Sequence, residues 1–207
     1  MSASKSAPPA RRVLYLHGFR SSPASFKARL LAQAMTRAGR ANDFICPQLP
    51  DAPEQAWTLI VDQIRVDEHD LVVGSSLGGF YAHAVAEQTG CRAVLLNPAM
   101  DAPRLLAHHL GRHTRWHDES ISVDLGIEDL EALRRIGRTT LTRTERYLLI
   151  AATGDDVIDW QDMVRALPGV RSIIVEGSDH ALSDFPDYLD TVLAFAGMTP
   201  ERAPGSS

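Results

Sequence analysis

The sequence predicts an α/β fold with a doubly wound, mostly parallel sheet. Two observations support this prediction. Short apolar runs alternate with segments of helical periodicity over most of the 207 residues. The apolar runs are continuous, which is typical of parallel strands covered by helices on both faces. In such a sheet the carboxyl ends of the strands meet at one edge, and ligands bind there.

Six apolar runs are predicted to be strands because each one stops at a turn-forming or polar residue. They span residues 13–16, 44–47, 71–73, 92–96, 147–152 and 170–175. Helical patterns separate them, and we expect helices from about 21 to Gly39, over 54–66, from the turn after 73 to 89, over 160–167 and over 188–196. Pro23 fits an early position of the first helix, where its missing N–H costs little.

The segment 101–146 interrupts this alternation. It is rich in charge and histidine and contains only short helical patterns, such as residues 127–136. We expect one domain over residues 11–198 with this segment as a cap-like insertion, and disordered tails over 1–10 and 199–207. The insertion could act as a lid over the strand ends, or it could be a solvated helical excursion without contact to substrate.

A Gly-x-Ser-x-Gly motif joins the third strand to the helix that follows it. Gly74 and Gly78 flank Ser76 at a distance of two residues, where side chains would collide as strand and helix approach each other. The turn would lift the Ser76 hydroxyl clear of the backbone, as a nucleophile requires. The motif is common by chance, so the rest of the chain must supply an acid and a histidine.

Later strands supply both groups, in the order serine, acid, histidine that is expected of α/β-hydrolases. His180 follows the last strand, and Asp155 follows the fifth strand and a glycine. In the predicted triad His180 takes the proton of Ser76, and the carboxylate orients the imidazole. We favour Asp155 as the acid and keep Asp156 as the alternate. Asp156 or Asp159 could instead cap the next helix.

The first strand ends at His17-Gly18-Phe19, which predicts one half of an oxyanion hole. The backbone N–H groups of Phe19 and Leu77 would bind the developing oxyanion. Gly18 lets the backbone approach the substrate closely, so Gly18 and Phe19 are the predicted substrate-binding residues. His17 is interpreted as structural, bonding between loops.

Five blocks resemble the YqiA/YcfP-type (UPF0227-like) esterases of the α/β-hydrolase superfamily: residues 15–23, 74–82, 96–99, 153–160 and 177–181. The resemblance covers nearly all of residues 11–197 and is weakest between about 101 and 146. It implies a small bacterial carboxylic-ester hydrolase that favours short acyl chains and could act on acyl-CoA thioesters. The alternatives are an acyl-CoA thioesterase and a non-hydrolytic binding protein for an acyl or small apolar ligand on the same fold.

Composition limits the remaining possibilities. The chain is 44% hydrophobic and 23% charged with a net charge of -5, so a nucleic-acid partner is not expected. No apolar run is long enough to cross a membrane. Cys46 and Cys91 are interpreted as buried thiols. We expect a cytoplasmic monomer or homodimer that acts on a small-molecule ester without a cofactor.

Two polar clusters are interpreted as solvated surface. His109, His113 and His117 would share one face of a helix, but Gly111 weakens that helix and no acidic partner is placed beside them, so no metal site is expected. The arginines between 134 and 146 could meet a phosphate-bearing substrate. Acidic residues lie among them, so local ion pairs are the plainer explanation.

Overall fold

A computed structural model describes residues 8–116 and 118–198. Its centre is a six-stranded sheet in the order β2-β1-β3-β4-β7-β8, and every pair of neighbouring strands is parallel. The strands are β1 (Val13–Leu16), β2 (Phe44–Ile45), β3 (Leu71–Ser75), β4 (Arg92–Leu96), β7 (Tyr147–Ala152) and β8 (Arg171–Val175). The prediction of a mostly parallel α/β sheet is therefore confirmed.

Helices cover both faces of this sheet. They are α1 (Phe26–Arg37), α2 (Pro53–Thr58), α3 (Leu77–Thr89), α4 (Ala102–Leu106), α5 (Ile127–Ile136), α6 (Trp160–Ala166) and α7 (Phe185–Phe195). Successive strand residues point to opposite faces. Val13 and Tyr15 pack in the core beneath α1 and α7, whereas Leu14 and Leu16 pack in the core beneath the other helices.

Most element boundaries agree with the predicted ones to within a few residues. The helix predicted over 54–66 is divided into α2 and a π-helical segment, Leu59–Ile64, that ends at Arg65 in a left-handed conformation. The first helix begins later than predicted, at Phe26, so Pro23 lies in the preceding turn and not in the helix. The last helix begins earlier than predicted, because Asp184 and Pro186 provide its N-terminal residues.

The ordered domain begins before residue 11. The Ala10 N–H donates to the carbonyl of Ala196 at 2.7 Å, and Ala10 is 1% exposed. Arg92 also donates to the carbonyl of Pro8. Residues 8–10 were expected in the disordered N-terminal tail, so this part of the expectation is wrong. The rest of that tail, and the whole C-terminal tail from 199, lie outside the described residues.

No described helix has the length and apolar character needed to cross a membrane.

The segment after β4 contains more regular structure than its sequence indicated. It forms α4, an antiparallel hairpin of β5 (Gly111–Thr114) and β6 (Ser122–Leu125), and then α5. The amphipathic α5 packs its buried side, including Leu130 and Leu133, into the core on the same face of the sheet as α3. The hairpin was missed because charged and histidine residues mask its alternation.

Candidate active site

The turn between β3 and α3 holds Ser76 in a strained conformation. Its φ and ψ are 54° and -119°, a region that residues with a Cβ seldom adopt. A Cβ on Gly74 would overlap the carbonyl of Gly78, and a Cβ on Gly78 would overlap the carbonyl of Leu16. Both positions therefore require glycine for the close packing of strand and helix. The Ser76 carbonyl accepts the N–H groups of Gly79 and Ala99, which anchor the turn.

His180 lies between Ser76 and Asp155. Its Nε2 is 3.1 Å from the Oγ of Ser76, and its Nδ1 is 2.7 Å from Oδ2 of Asp155. A carboxylate accepts only, so Nδ1 carries the proton and Nε2 presents its lone pair to the serine hydroxyl. The Asp155 side chain is fully buried and the imidazole is partly exposed. This arrangement allows His180 to remove the hydroxyl proton of Ser76.

The three candidate aspartates take different positions. Oδ1 of Asp155 accepts the N–H groups of Val157 and Ile158, both at 2.8 Å, which fixes the carboxylate beside His180. Asp159 caps α6, where its side chain accepts the N–H of Gln161. Asp156 is exposed to solvent. The structure thus places Asp155 against His180, and it does not place Asp156 there.

Asn97 connects the strand ends that carry the histidine and the acid. It is 1% exposed, and its Oδ1 accepts the N–H of Ala152, the last residue of β7, at 2.8 Å. Its Nδ2 donates to the carbonyls of Asp179 and His180 at 3.0 and 3.1 Å. Asn97 had no role predicted from the sequence. The available signal was an asparagine directly after a buried strand, where polar side chains bond to neighbouring loops.

The two N–H groups predicted to bind an oxyanion belong to Phe19, in the loop after β1, and to Leu77, at the start of α3. Leu77 is the first residue of α3, so its N–H has no acceptor within the helix. Gly18 approaches Ser76 so closely that a Cβ on it would be 3.2 Å from the Ser76 Cβ. Phe19, the next residue, lines the cavity in front of Ser76 together with Gly18. Among the described residues, neither the Phe19 N–H nor the Leu77 N–H donates to a backbone carbonyl in a turn, loop or helix cap.

His17 lies beneath this loop and is 3% exposed. Its Nε2 accepts the N–H of Leu49 at 3.0 Å, so the ring proton is on Nδ1, which donates to the carbonyl of Gly18 at 2.9 Å. Burial lowers the pKa of His17, which keeps the ring neutral at pH 7. His17 therefore ties the loop after β1 to the segment after β2.

A family model described as "Uncharacterised protein family (UPF0227)" matches residues 12–197. The chain belongs to this family. A UPF0227 protein of Serratia proteamaculans (strain 568) is 26% identical over 188 residues, which cover 88% of this chain and 97% of the relative. The UPF0227 protein YcfP of Salmonella paratyphi A has the same identity and coverage.

Solved structures share the fold of this UPF0227 member. The alpha/beta hydrolase domain-containing protein 10 from mouse superposes with a TM-score of 0.64 at 16% identity, covering 91% of each chain. A putative hydrolase from Agrobacterium vitis S4 gives a TM-score of 0.61 at 16% identity, covering 92% of this chain and 91% of the other. The fold is therefore that of the α/β-hydrolases, as the sequence predicted.

A cavity of about 510 Å³ opens in front of Ser76. Its aromatic lining residues are Tyr15, Phe19, Phe26 and Trp116. Lys27 also lines it, although this lysine is only 8% exposed, and its ammonium donates to the carbonyl of Ala181 beside His180. Burial lowers the pKa of Lys27 to about 8. Lys27 was not predicted from the sequence, because a single lysine in an apolar helix pattern usually extends its ammonium to solvent.

The β5–β6 hairpin contacts the loop after β1. The Trp116 N–H donates to the carbonyl of Arg20 at 3.1 Å, and the Arg20 guanidinium lies 3.9 Å above the Trp116 ring. Arg115 donates to the carbonyl of Ser21 and pairs with Asp51 at 2.6 Å. These contacts hold one end of the hairpin at the rim of the cavity, where Trp116 is a lining residue.

The histidine cluster does not lie on one helix. His109 ends a 3₁₀ segment and His113 lies in β5, where its Nε2 bonds to the carbonyl of His109 at 2.7 Å. His117 lies outside the described residues. No group of three metal-binding side chains forms in the described ranges, 8–116 and 118–198. Among the nearby arginines, Arg135 pairs with Glu54 and Arg143 pairs with Glu145, both at 2.6 Å.

A second cavity of about 520 Å³ lies among α2, α3 and α5 and shares no lining residue with the first. Its charged lining residues include Glu54 and Arg135, which pair with each other. The serine–histidine pair lies at the first cavity, which is therefore the candidate active site.

Proposed function

We propose that this protein is a serine esterase that hydrolyses small or short-acyl carboxylic esters through an acyl-enzyme. The observation that carries the proposal is the continuous chain of hydrogen bonds from Ser76 Oγ through His180 to Asp155. Nucleophile, base and orienting acid are joined in the order that acyl transfer requires.

The reaction begins when Ser76 Oγ attacks the ester carbonyl and His180 Nε2 takes the hydroxyl proton. The carbonyl oxygen becomes an oxyanion, which the N–H groups of Phe19 and Leu77 stabilise. The buried carboxylate of Asp155 stabilises the imidazolium that forms. His180 then gives its proton to the departing alcohol, which leaves the acyl group on Ser76.

Water completes the cycle. His180 takes a proton from the water that attacks the acyl-enzyme, and it returns this proton to Ser76 Oγ as the acid departs. The aromatic residues of the cavity would hold the apolar part of the ester, and a volume of about 510 Å³ suits a small substrate.

The experiment compares Ser76→Ala with Ser172→Ala, a serine on β8 that does not line the cavity. With 4-nitrophenyl acetate, Ser76→Ala should lose roughly 10⁴-fold or more in kcat, and Ser172→Ala should match the wild type. A fluorophosphonate probe should label the wild type at Ser76 alone. Wild-type turnover by Ser76→Ala, or failure of the probe to label folded protein, would contradict the proposal and would favour a binding protein.

A further inference from the structure

The cavity in front of Ser76 carries a positive charge that the proposed mechanism does not use. Lys27 lines the cavity, and its ammonium is hydrogen-bonded to one backbone carbonyl, that of Ala181. An ammonium has three N–H donors. Burying a charge is costly unless a partner of opposite charge accompanies it.

The carboxylates that act on Lys27 have other partners. Asp155 accepts from His180 and two backbone amides, and Asp179 accepts both the N–H and the hydroxyl of Ser183. In the described part of the chain, Lys27 forms no ion pair within 4.0 Å. The ammonium therefore lies at the cavity without a carboxylate in direct contact, and Asp179 and Asp155 act on it only from beyond that distance.

The rest of the lining suits an oxygen-rich ligand group. No acidic residue lines the cavity among the residues described, and its other polar members are hydroxyl-bearing residues and His180. The Oγ of Ser25, two residues before Lys27, is buried near the Tyr15 hydroxyl and forms no hydrogen bond of normal geometry in the described structure. An ammonium with unused N–H donors and a hydroxyl that line the same cavity are suitable donors for a carboxylate.

We propose that the substrate is an ester that also carries a carboxylate, which Lys27 and Ser25 bind while Ser76 attacks the ester carbonyl. This inference rests on the proposed esterase function and narrows its substrate class. Lys27 acts as a specificity-determining residue. It takes no part in proton transfer, and the ligand carboxylate supplies a counterion in direct contact with the ammonium.

The test uses two pairs of esters, each with and without a carboxylate. 4-Nitrophenyl hemisuccinate against 4-nitrophenyl butyrate places the charge on the acyl side. 4-Acetoxybenzoate against its methyl ester places the charge on the leaving group. Each kcat/KM is divided by the rate of hydroxide-catalysed hydrolysis of the same ester. In at least one pair the wild type should prefer the charged ester by roughly 10- to 100-fold, the range of a charge-assisted hydrogen bond.

Lys27→Met should abolish this preference, mainly through a higher KM for the charged ester, and Lys27→Arg should retain part of it. If Lys27 only holds the His180 loop through Ala181, the variant will lose activity equally on both esters and the preference ratio will not change. That result would overturn the inference.

An inhibition assay on the wild type covers the case in which the variant does not fold. Glutarate should compete with 4-nitrophenyl acetate at concentrations at least roughly tenfold below those needed for glutaramide. Equal inhibition, together with the absence of a charge preference in both ester pairs, would refute the carboxylate site. Ser76-dependent hydrolysis of the neutral esters would then leave the esterase proposal intact, whereas absence of all turnover would refute that proposal instead.

Discussion

Replacing Asp155 with asparagine should disable His180 as a base while the fold remains almost unchanged. Oδ1 of Asp155 accepts the N–H groups of Val157 and Ile158, and Oδ2 accepts the Nδ1–H of His180. An asparagine can keep the two backbone bonds with its own Oδ1, so its NH₂ group takes the place of Oδ2. An NH₂ group only donates hydrogen bonds.

His180 can face that NH₂ group only through an unprotonated Nδ1, which moves the ring proton to Nε2. Nε2–H then points at Ser76 Oγ and cannot accept the hydroxyl proton. In Ser-His-Asp triads the wrong tautomer lowers kcat by roughly 10⁴-fold, which corresponds to about 5.5 kcal/mol in activation free energy. We expect a loss of this size in kcat with little change in KM, because the cavity lining is unaltered.

The neighbouring Asp156→Asn is a matched control, because it makes the same chemical change one residue away at an exposed side chain. Its kcat should stay within about twofold of the wild type. The assay is steady-state hydrolysis of 4-nitrophenyl acetate, with urea unfolding to verify that both variants are folded. A large loss in Asp156→Asn, or near wild-type activity in Asp155→Asn, would refute the assignment of the acid and the tautomer argument.

Two further predictions concern Asn97 and Lys27. Asn97→Ala removes three buried hydrogen bonds and leaves the Ala152 N–H without an acceptor. We expect the free energy of unfolding, measured by urea unfolding, to fall by about 3 kcal/mol. We expect kcat, measured by ester hydrolysis, to fall by roughly 10- to 100-fold. An unchanged kcat would show that Asn97 does not position His180. Lys27→Met should be more stable than the wild type at pH 7 by about 2 kcal/mol. The folded-state pKa of Lys27, about 8, lies below the 10.5 of a free lysine, so between these values the unfolded state binds more protons than the folded state. Below pH 8 the buried ammonium therefore destabilises the wild type by about 3 kcal/mol. Lys27→Met removes this cost but also loses the bond to Ala181, which leaves the expected net gain of about 2 kcal/mol. The advantage should shrink as pH rises from 8 towards 10.5, and a constant difference between urea unfolding at pH 7 and pH 10 would contradict the burial argument. Asp179 and Asp155, which act on Lys27, are common to both proteins, as are His180 and Tyr15 of the same cavity.

The sheet could be predicted because its strands are marked by composition alone. Continuous apolar runs such as Val13–Leu16 and Tyr147–Ala152 are buried on both faces, and burial on both faces produces this sequence pattern. The parallel arrangement then places residues after the strands at one edge, which is why Ser76 and His180, 104 positions apart, could be expected to meet.

Other parts of the site depend on tertiary contacts that leave no periodic signal. Whether Asp155 or Asp156 faces His180 depends on the turn that brings Val157 and Ile158 back to the carboxylate. The role of Asn97 depends on the end of β7 and on the loop after β8, whose partners lie 55 and 82 to 83 positions away in the sequence. The β5–β6 hairpin is stabilised by contacts with Arg20 and Ser21, outside its own sequence. Local propensity contains no information about such partners.

Lys27 differs from the rest of the site because we expect it to lower the stability of the folded protein. Burial of its ammonium disfavours the charged form, and a methionine would fill similar space without that cost. Acyl transfer by Ser76, His180 and Asp155 requires no ammonium at this position. A ligand of opposite charge explains why the protein keeps a buried charge that costs stability and takes no part in proton transfer. Binding such a ligand restores the lost free energy when the substrate is present. Stability and specificity thus oppose each other at Lys27, so a variant that gains stability at pH 7 should be the one that loses discrimination between charged and neutral esters.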